Sequence, residues 1–321
     1  MKRFNVRYDT NPAANPSCER CPNADRRHTD KKTGMCSKIK SVVDDLPVRC
    51  VGTWANDKIY YLLQYFQIFA KSMHKKWGRL RYVEVCSGPG RCSTRDGNEQ
   101  DGTALAIVKN ELFDLLSDAI FIDYSPEVID ILSKRFRSLG KTDRVHAVVG
   151  DYNDPSSLVE TLGKHSPRSL TLCFIDPTDC SLPFETVRSI FDATNGKCDF
   201  LISFFDGLDF HRNAVNATLD GSFSRLRTKY ERFLGTPDFF SRKEVVDAAR
   251  ANRYDDLSRM FRQHYSDKLN AMGLPYQDWK PVKNFYNLLF ASGNSLGLDL
   301  WKKASKYDPV GQPTFDFGEE A

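Results

Sequence analysis

No apolar run in the 321-residue chain approaches the roughly 18 residues that a membrane-spanning helix needs, which sets a helical membrane protein aside. The opening Met-Lys-Arg-Phe-Asn-Val-Arg lacks the apolar stretch of about 7–15 residues that marks a secretory signal. A cytoplasmic protein is therefore expected. There is no internal repeat and no low-complexity tract, and the chain is not apolar-poor as disordered chains are: 40% of residues are apolar and 12% aromatic. Nine cysteines is an odd number, and without a secretion signal it excludes a complete disulfide framework.

What is present suggests about two domains by length, or one large α/β domain with an extension and an insertion. The net charge of +4 is unevenly spread. Residues 1–50 hold eleven Lys and Arg against six Asp and Glu. Such a basic segment suits nucleic acid phosphates as well as plain solvation.

Four cysteines fall in that segment, Cys18, Cys21, Cys36 and Cys50. The C-x2-C pair lets two thiolates reach one Zn²⁺ or one iron–sulfur cluster from a tight turn. No second C-x2-C closes the pattern, His28 could replace one ligand, and spacing leaves the choice of metal open. The region has little apolar material, so a metal could supply its order; four reduced, partly buried thiols are the plain alternative. Of the other five, Cys86, Cys92, Cys173, Cys180 and Cys198, most read as small core residues.

From Trp54 to Met73, Ile59, Leu62, Leu63, Phe66 and Phe69 recur at helical spacing. Alternation follows. Strands are expected over 80–86, 119–124, 145–150, 170–175 and 199–205, with helices over 103–116, 126–139, 156–162 and 184–193 between them. A polar loop is expected over 91–101. Short apolar strands alternating with helices predict a doubly wound, mostly parallel sheet. The parsing is a Cys-rich extension (1–53), a Rossmann-like domain (54–212 and 281–305), a polar, Arg-rich helical insertion (213–280) and a tail (306–321). One strand over 282–292 and a helix over 296–305 complete the domain.

In such a sheet, ligands bind beyond the carboxyl ends of the strands. After the first strand stands Glu84-Val-Cys-Ser87-Gly88-Pro-Gly90, whose glycines permit a tight turn and close backbone approach to a cofactor. Ser93 stands where a dinucleotide fingerprint needs its third glycine, which counts against a nicotinamide oxidoreductase. Asp123 ends the second strand, placed for two ribose hydroxyls. Asp151 follows the third, in reach of an adenine amino group, with Tyr152 to stack on the ring. Asp176 and Asp179 follow the fourth, facing the reactive end of the cofactor. Each alone serves as well as a helix cap or turn former; as a set they point to function.

This pattern is that of a class I, S-adenosylmethionine (SAM)-dependent methyltransferase fold. The stretches Val51-Gly-Thr-Trp-Ala-Asn-Asp-Lys58, Val83-Glu-Val-Cys-Ser-Gly-Pro-Gly90, Phe174-Ile-Asp-Pro177 and Tyr286-Asn-Leu-Leu-Phe-Ala-Ser292, with Gly297 and Trp301, resemble the three-Cys-motif partner protein (TcmP) family over about residues 50–305. The resemblance implies a SAM-binding, methyltransferase-like protein linked genetically to a radical-SAM partner. The family name refers to that partner's cysteines and leaves Cys18 to Cys50 unexplained. Glu84 stands here for a more usual Asp.

Methyl transfer is an in-line displacement, so the protein must align an acceptor and, where needed, take its proton. Asp176 is expected in that role. Asp-Pro-Thr-Asp departs from the Asn/Asp-Pro-Pro-aromatic motif that amino-methyltransferases of nucleic acids share, and Cys180 lacks the preceding proline of a cytosine-C5 nucleophile. A nucleic acid acceptor is still expected from the basic segments and abundant aromatics. A non-catalytic SAM- or nucleotide-binding module serving a radical-SAM protein is the alternative. Phe204, Phe205, Asp206 and His211, after the fifth strand, are where substrate could lie.

Overall fold

The computed structural model describes residues 12–15, 29–30, 32–52, 54–94, 97–163, 166–283 and 285–313. Three short strands come first, β1 (Ala13–Ala14), β2 (Met35–Lys40) and β3 (Pro47–Val51). Helix α1 (Ala55–Met73) then buries Ile59, Leu62, Leu63, Phe66 and Phe69, the stripe its periodicity assigns to the inner face. Strand β4 (Arg79–Val85) follows and runs into the glycine turn.

Where a polar loop was expected, the chain forms a hairpin, β5 (Arg91–Thr94) and β6 (Asn98–Asp101). This hairpin and the amino-terminal strands make a second, mixed sheet in the order β1-β6-β5-β3-β2. Its interior is charged rather than apolar. The fully buried Arg91 guanidinium donates to Glu99 and to Asp101, each at 2.6 Å, and Lys109 donates to the other oxygen of Asp101 at 2.7 Å. Glu99 also accepts from the Ser41 hydroxyl, the Val42 N–H and the Asn15 amide. A single carboxylate thus ties the amino-terminal segment to the hairpin.

Helix α2 (Thr103–Val108) ends eight residues sooner than expected, followed by a separate 3₁₀ turn over 113–115. Strand β7 (Asp118–Asp123) and helix α3 (Pro126–Ser138) come next. The helix begins at Ser125, whose hydroxyl accepts from the Val128 N–H, with Pro126 at the first position. The alternation continues through β8 (Val145–Val149), α4 (Pro155–Leu162), β9 (Ser169–Ile175), α5 (Phe184–Ala193) and β10 (Cys198–Phe204). One π-helical turn (Asp206–Phe210) opens the insertion, which comprises α6 (His211–Leu219), α7 (Ser224–Leu234), α8 (Lys243–Arg250) and α9 (Tyr254–Met272).

The helical stretch stops at Met272, short of the expected 280. Tyr276–Val282 is strand β11, which pairs antiparallel with β12 (Tyr286–Ser292), so the expected single strand is a hairpin. Pro281 is tolerated because β11 lies at the sheet edge. Helix α10 (Ser295–Ala304) closes the fold, with Trp301 stacked on Phe290 at 5.4 Å between ring centres.

The main sheet has the order β11-β12-β10-β9-β4-β7-β8. Strands β8, β7, β4, β9 and β10 run parallel and β12 runs against β10. The chain starts in the middle at β4, winds outward to β8, returns to β9 and winds out the other way. The switch falls between the carboxyl ends of β4 and β9, where a doubly wound sheet opens a crevice. No helix of the described residues is long and apolar enough to cross a membrane.

Candidate active site

A cleft of about 470 Å³ opens at that switch point, in the range of small-molecule sites. The glycine turn forms its floor, with Ser87, Gly88 and Gly90 all at its lining. Gly88 and Gly90 have φ of +64° and +95°, which favours glycine. A methyl group on Gly90 would meet Leu132 at 2.9 Å and Leu105 at 3.1 Å, so the turn is also pressed against the helices beneath. Gly90→Ala is expected to lose about 1–3 kcal/mol from backbone strain, plus the cost of the clash, as read by urea unfolding.

Arg135, buried in α3, holds the turn from outside. Its guanidinium donates to the Pro89 carbonyl at 2.6 Å and to both oxygens of Asp44, joining the glycine turn to the amino-terminal sheet. No sequence pattern singles this arginine out.

The strand-end residues separate into two groups. Asp176 and Ser87 line the cleft, and Lys58, from the first turns of α1, forms an ion pair with Asp176 Oδ2 at 2.5 Å. The other oxygen, Asp176 Oδ1, is buried without a partner among the described residues. Asp123 sits beneath the turn, accepting from the N–H groups of Gly88 and Ser125 at 3.1 and 3.2 Å. Burial raises its pKa, opposed by the Ser125 N–H and the Arg49 charge.

Glu84 is fully buried and does not line the cleft; Thr103 and Tyr82 donate to its two oxygens. Burial pushes its carboxyl up to about 8 against those two hydrogen bonds. It supports the turn from behind.

Asp179, Asp151 and Tyr152 are not among the cleft-lining residues. Asp179 meets Lys229 of α7 at 3.4 Å, and the same ammonium pairs with Asp209 at 2.6 Å. Asp151 accepts from the backbone and side chain of Asn153, a local turn. The Tyr152 hydroxyl bonds Ser181 at 2.9 Å. After β10, Phe205 and Leu208 reach the cleft, whereas Asp206 is buried, accepting from Arg262 and Asn287. His211 bonds Ser258 away from it.

Three elements that strand-end reasoning does not reach also line the cleft: Arg49 and Cys50 of β3, Trp54 and Lys58 at α1, and Cys92 of β5. Cys86 lines it too, in the left-handed region at φ +68°, where glycine would be unstrained. Burial pushes the Cys86 and Cys180 thiols up, which keeps both protonated. A nucleophilic Cys180 is not supported; the thiol is core, as are Cys173 and Cys198.

Of the expected metal ligands, Cys18 and Cys21, with His28, lie outside the described residues. Cys36 and Cys50 are half-buried free thiols. Among the described residues, no three His, Cys, Asp or Glu side chains form a metal-holding group.

A parallel sheet wound outward from its middle strand, with its penultimate strand in space reversed and a glycine-turn cleft at the switch, is the class I methyltransferase-like Rossmann fold. Among solved structures, the chain is similar to an S-adenosylhomocysteine-bound methyltransferase of Podospora anserina, with 16% identity, 72% of this chain and 77% of that one covered, and a TM-score of 0.35. It is similar also to the N-terminal domain of human METTL16 bound to S-adenosylhomocysteine, with 9% identity, 73% and 70% covered, and a TM-score of 0.37. No family profile matches the sequence, and no curated protein does. The fold assignment rests on the strand order and the direction of each strand.

Proposed function

We propose that the protein binds SAM in the switch-point cleft and transfers its methyl group to a nucleic acid acceptor. The observation that carries this reading is the Lys58–Asp176 pair lining the same cleft as the Gly88–Gly90 turn. When bound, SAM supplies an activated methyl group on a sulfonium. The glycine turn fits such a group: its backbone approaches the cleft closely because no Cβ intervenes at Gly88 or Gly90. Asp123, which now accepts from the Gly88 and Ser125 N–H groups, would be the carboxylate to take the ribose hydroxyls.

Asp176 orients the acceptor. Lys58 holds one carboxylate oxygen, which fixes the other as an acceptor for an N–H or O–H donor entering the cleft. Trp54, Phe205 and Leu208 give the entrance an apolar, partly aromatic wall against which a base can stack. The insertion that follows β10 carries Arg212 and Arg225 exposed, together with the exposed rings of Phe223 and Tyr254. Exposed cations and exposed rings on one insertion suit a single-stranded polynucleotide.

Calorimetric titration with SAM, S-adenosylhomocysteine and NAD tests the cofactor. Micromolar binding of the first two, lost in Gly88→Val, supports it; no binding by either removes it. Asp176→Asn is expected to leave cofactor affinity within about threefold while methyl transfer from labelled SAM to cellular RNA or DNA falls about 100-fold, the scale of a general acid–base or positioning contribution. The second reading is a non-catalytic SAM-binding module serving a radical-SAM partner, which the pairing of Asp179 with Lys229 rather than with the cleft would suit. Cofactor binding with no transfer to any polynucleotide selects that reading.

A further inference from the structure

We propose that Arg49, carried by the amino-terminal sheet, is the anchor for the cofactor's amino-acid carboxylate, so that this second sheet completes the cofactor site. The inference rests on the SAM-binding reading of the cleft. Arg49 extends from β3 to the glycine turn: an added methyl on Gly88 would stand 3.4 Å from its Nη1, and one on Gly34 3.4 Å from its Nη2. The guanidinium is therefore laid between two glycines, half-buried, at the lining of the cleft.

Asp123 feels its charge without forming an ion pair with it. Lys58, the other cation at the lining, is paired with Asp176, but no described residue accepts a hydrogen bond from Arg49 or lies within ion-pair distance of it. A half-buried guanidinium keeps five N–H donors that want an acceptor, and a planar carboxylate matches two of them. SAM and its homocysteine product carry one anionic group each, the carboxylate of the amino-acid portion. Their remaining charges are positive and would be repelled by an arginine in the cleft. The carboxylate is thus the group that Arg49 can meet. Both glycines lie in the left-handed region, at φ +66° and +64°, and the guanidinium rests at van der Waals distance from the space beside each.

The test compares ligands that differ at that group. S-adenosylhomocysteine, 5′-methylthioadenosine (the same nucleoside and thioether without the carboxylate) and AMP are titrated calorimetrically into the full chain and into Arg49→Gln and Arg49→Lys. Arg49→Gln is expected to weaken S-adenosylhomocysteine about 10- to 100-fold, the loss of a hydrogen bond to a charged group, and methylthioadenosine by less than threefold. Arg49→Lys recovers part of the affinity. Equal weakening of both adenosyl ligands, or an unchanged affinity for S-adenosylhomocysteine, overturns the assignment. AMP bound as tightly as S-adenosylhomocysteine and lost in Arg49→Gln makes the residue a phosphate anchor and overturns it as well. Methylthioadenosine binding to the native chain shows that the cofactor reading stands whatever Arg49 does; native chain that binds no adenosyl ligand overturns that reading, and the anchor with it. Melting of each variant without ligand separates a folding defect from a lost contact.

Discussion

Arg91→Ala is expected to cost about 3–5 kcal/mol, the penalty for stranding buried charges when one partner is removed. Arg91 is almost wholly buried, and its two carboxylate partners, Glu99 and Asp101, have no exposed side-chain surface. Burial already raises the Asp101 pKa against the Lys109 and Arg91 interactions, whereas Glu99 is held low against its own burial by Ser41, Val42 N–H and Arg91. Deleting the guanidinium leaves Lys109 as the remaining cation of this network among the described residues, 30% exposed and on Asp101. Urea unfolding should show the loss, and adding Glu99→Gln to Arg91→Ala should recover part of it, because the uncompensated charge is then gone. A midpoint shift worth less than about 1 kcal/mol would mean that water or rearrangement reaches these carboxylates. The consequence extends to the cleft: Cys92, next to Arg91, pairs in register with Arg49, so cofactor affinity should fall before global unfolding.

That network also explains where sequence reading fails. The hairpin at 91–101 buries Arg91, Ser93, Thr94, Glu99, Gln100 and Asp101, so the period-2 apolar pattern that marks a strand is absent. Polar residues read as loop unless their partners are known, and besides Arg91 the partners of Glu99 are Asn15, Ser41 and Val42, 57 to 84 positions away. Edge strand β11 fails for a related reason: half-exposed and carrying Pro281, it presents no continuous apolar run. The central strands are the reverse case. Residues 170–175 and 199–204 are buried on both faces, and only an unbroken apolar run satisfies that, so the alternation and the strand ends were readable. From strand ends the rule of the doubly wound sheet leads to Ser87, Gly88, Gly90 and Asp176. The same rule also selects Asp151 and Asp179, which here bond a neighbouring turn and a docked helix, as a carboxylate after a strand readily does. It misses Arg49 and Lys58, which come to the cleft from elements outside the alternation.

Glu84 should make stability fall as pH rises. Its carboxyl is fully buried behind the glycine turn, and burial lifts its pKa from 4.5 to about 8. In the unfolded chain the group ionises near the lower value. Below about pH 4.5 both states hold the proton and the group contributes no slope. Between there and about 8 the folded state holds a proton that the unfolded state has released, so each pH unit removes about 1.4 kcal/mol from folding, and above 8 the curve flattens. Glu84→Gln keeps an oxygen for the Thr103 hydroxyl and a neutral group beside Tyr82 without the ionisation. The difference in unfolding free energy between native chain and variant, followed by urea unfolding from pH 4 to 9, should therefore shift steadily in favour of the glutamine. A difference that stays level across that range would show Glu84 ionised in the fold, its charge satisfied by the Thr103 and Tyr82 hydroxyls. The sign also bears on the cleft. With Glu84 neutral, the charged groups around the turn are the carboxylates of Asp123 and Asp176, the second held by Lys58, and the Arg49 guanidinium. Raising the pH through 8 adds a third carboxylate, and SAM, with its sulfonium, should then gain affinity relative to the neutral thioether S-adenosylhomocysteine, an increment that Glu84→Gln abolishes.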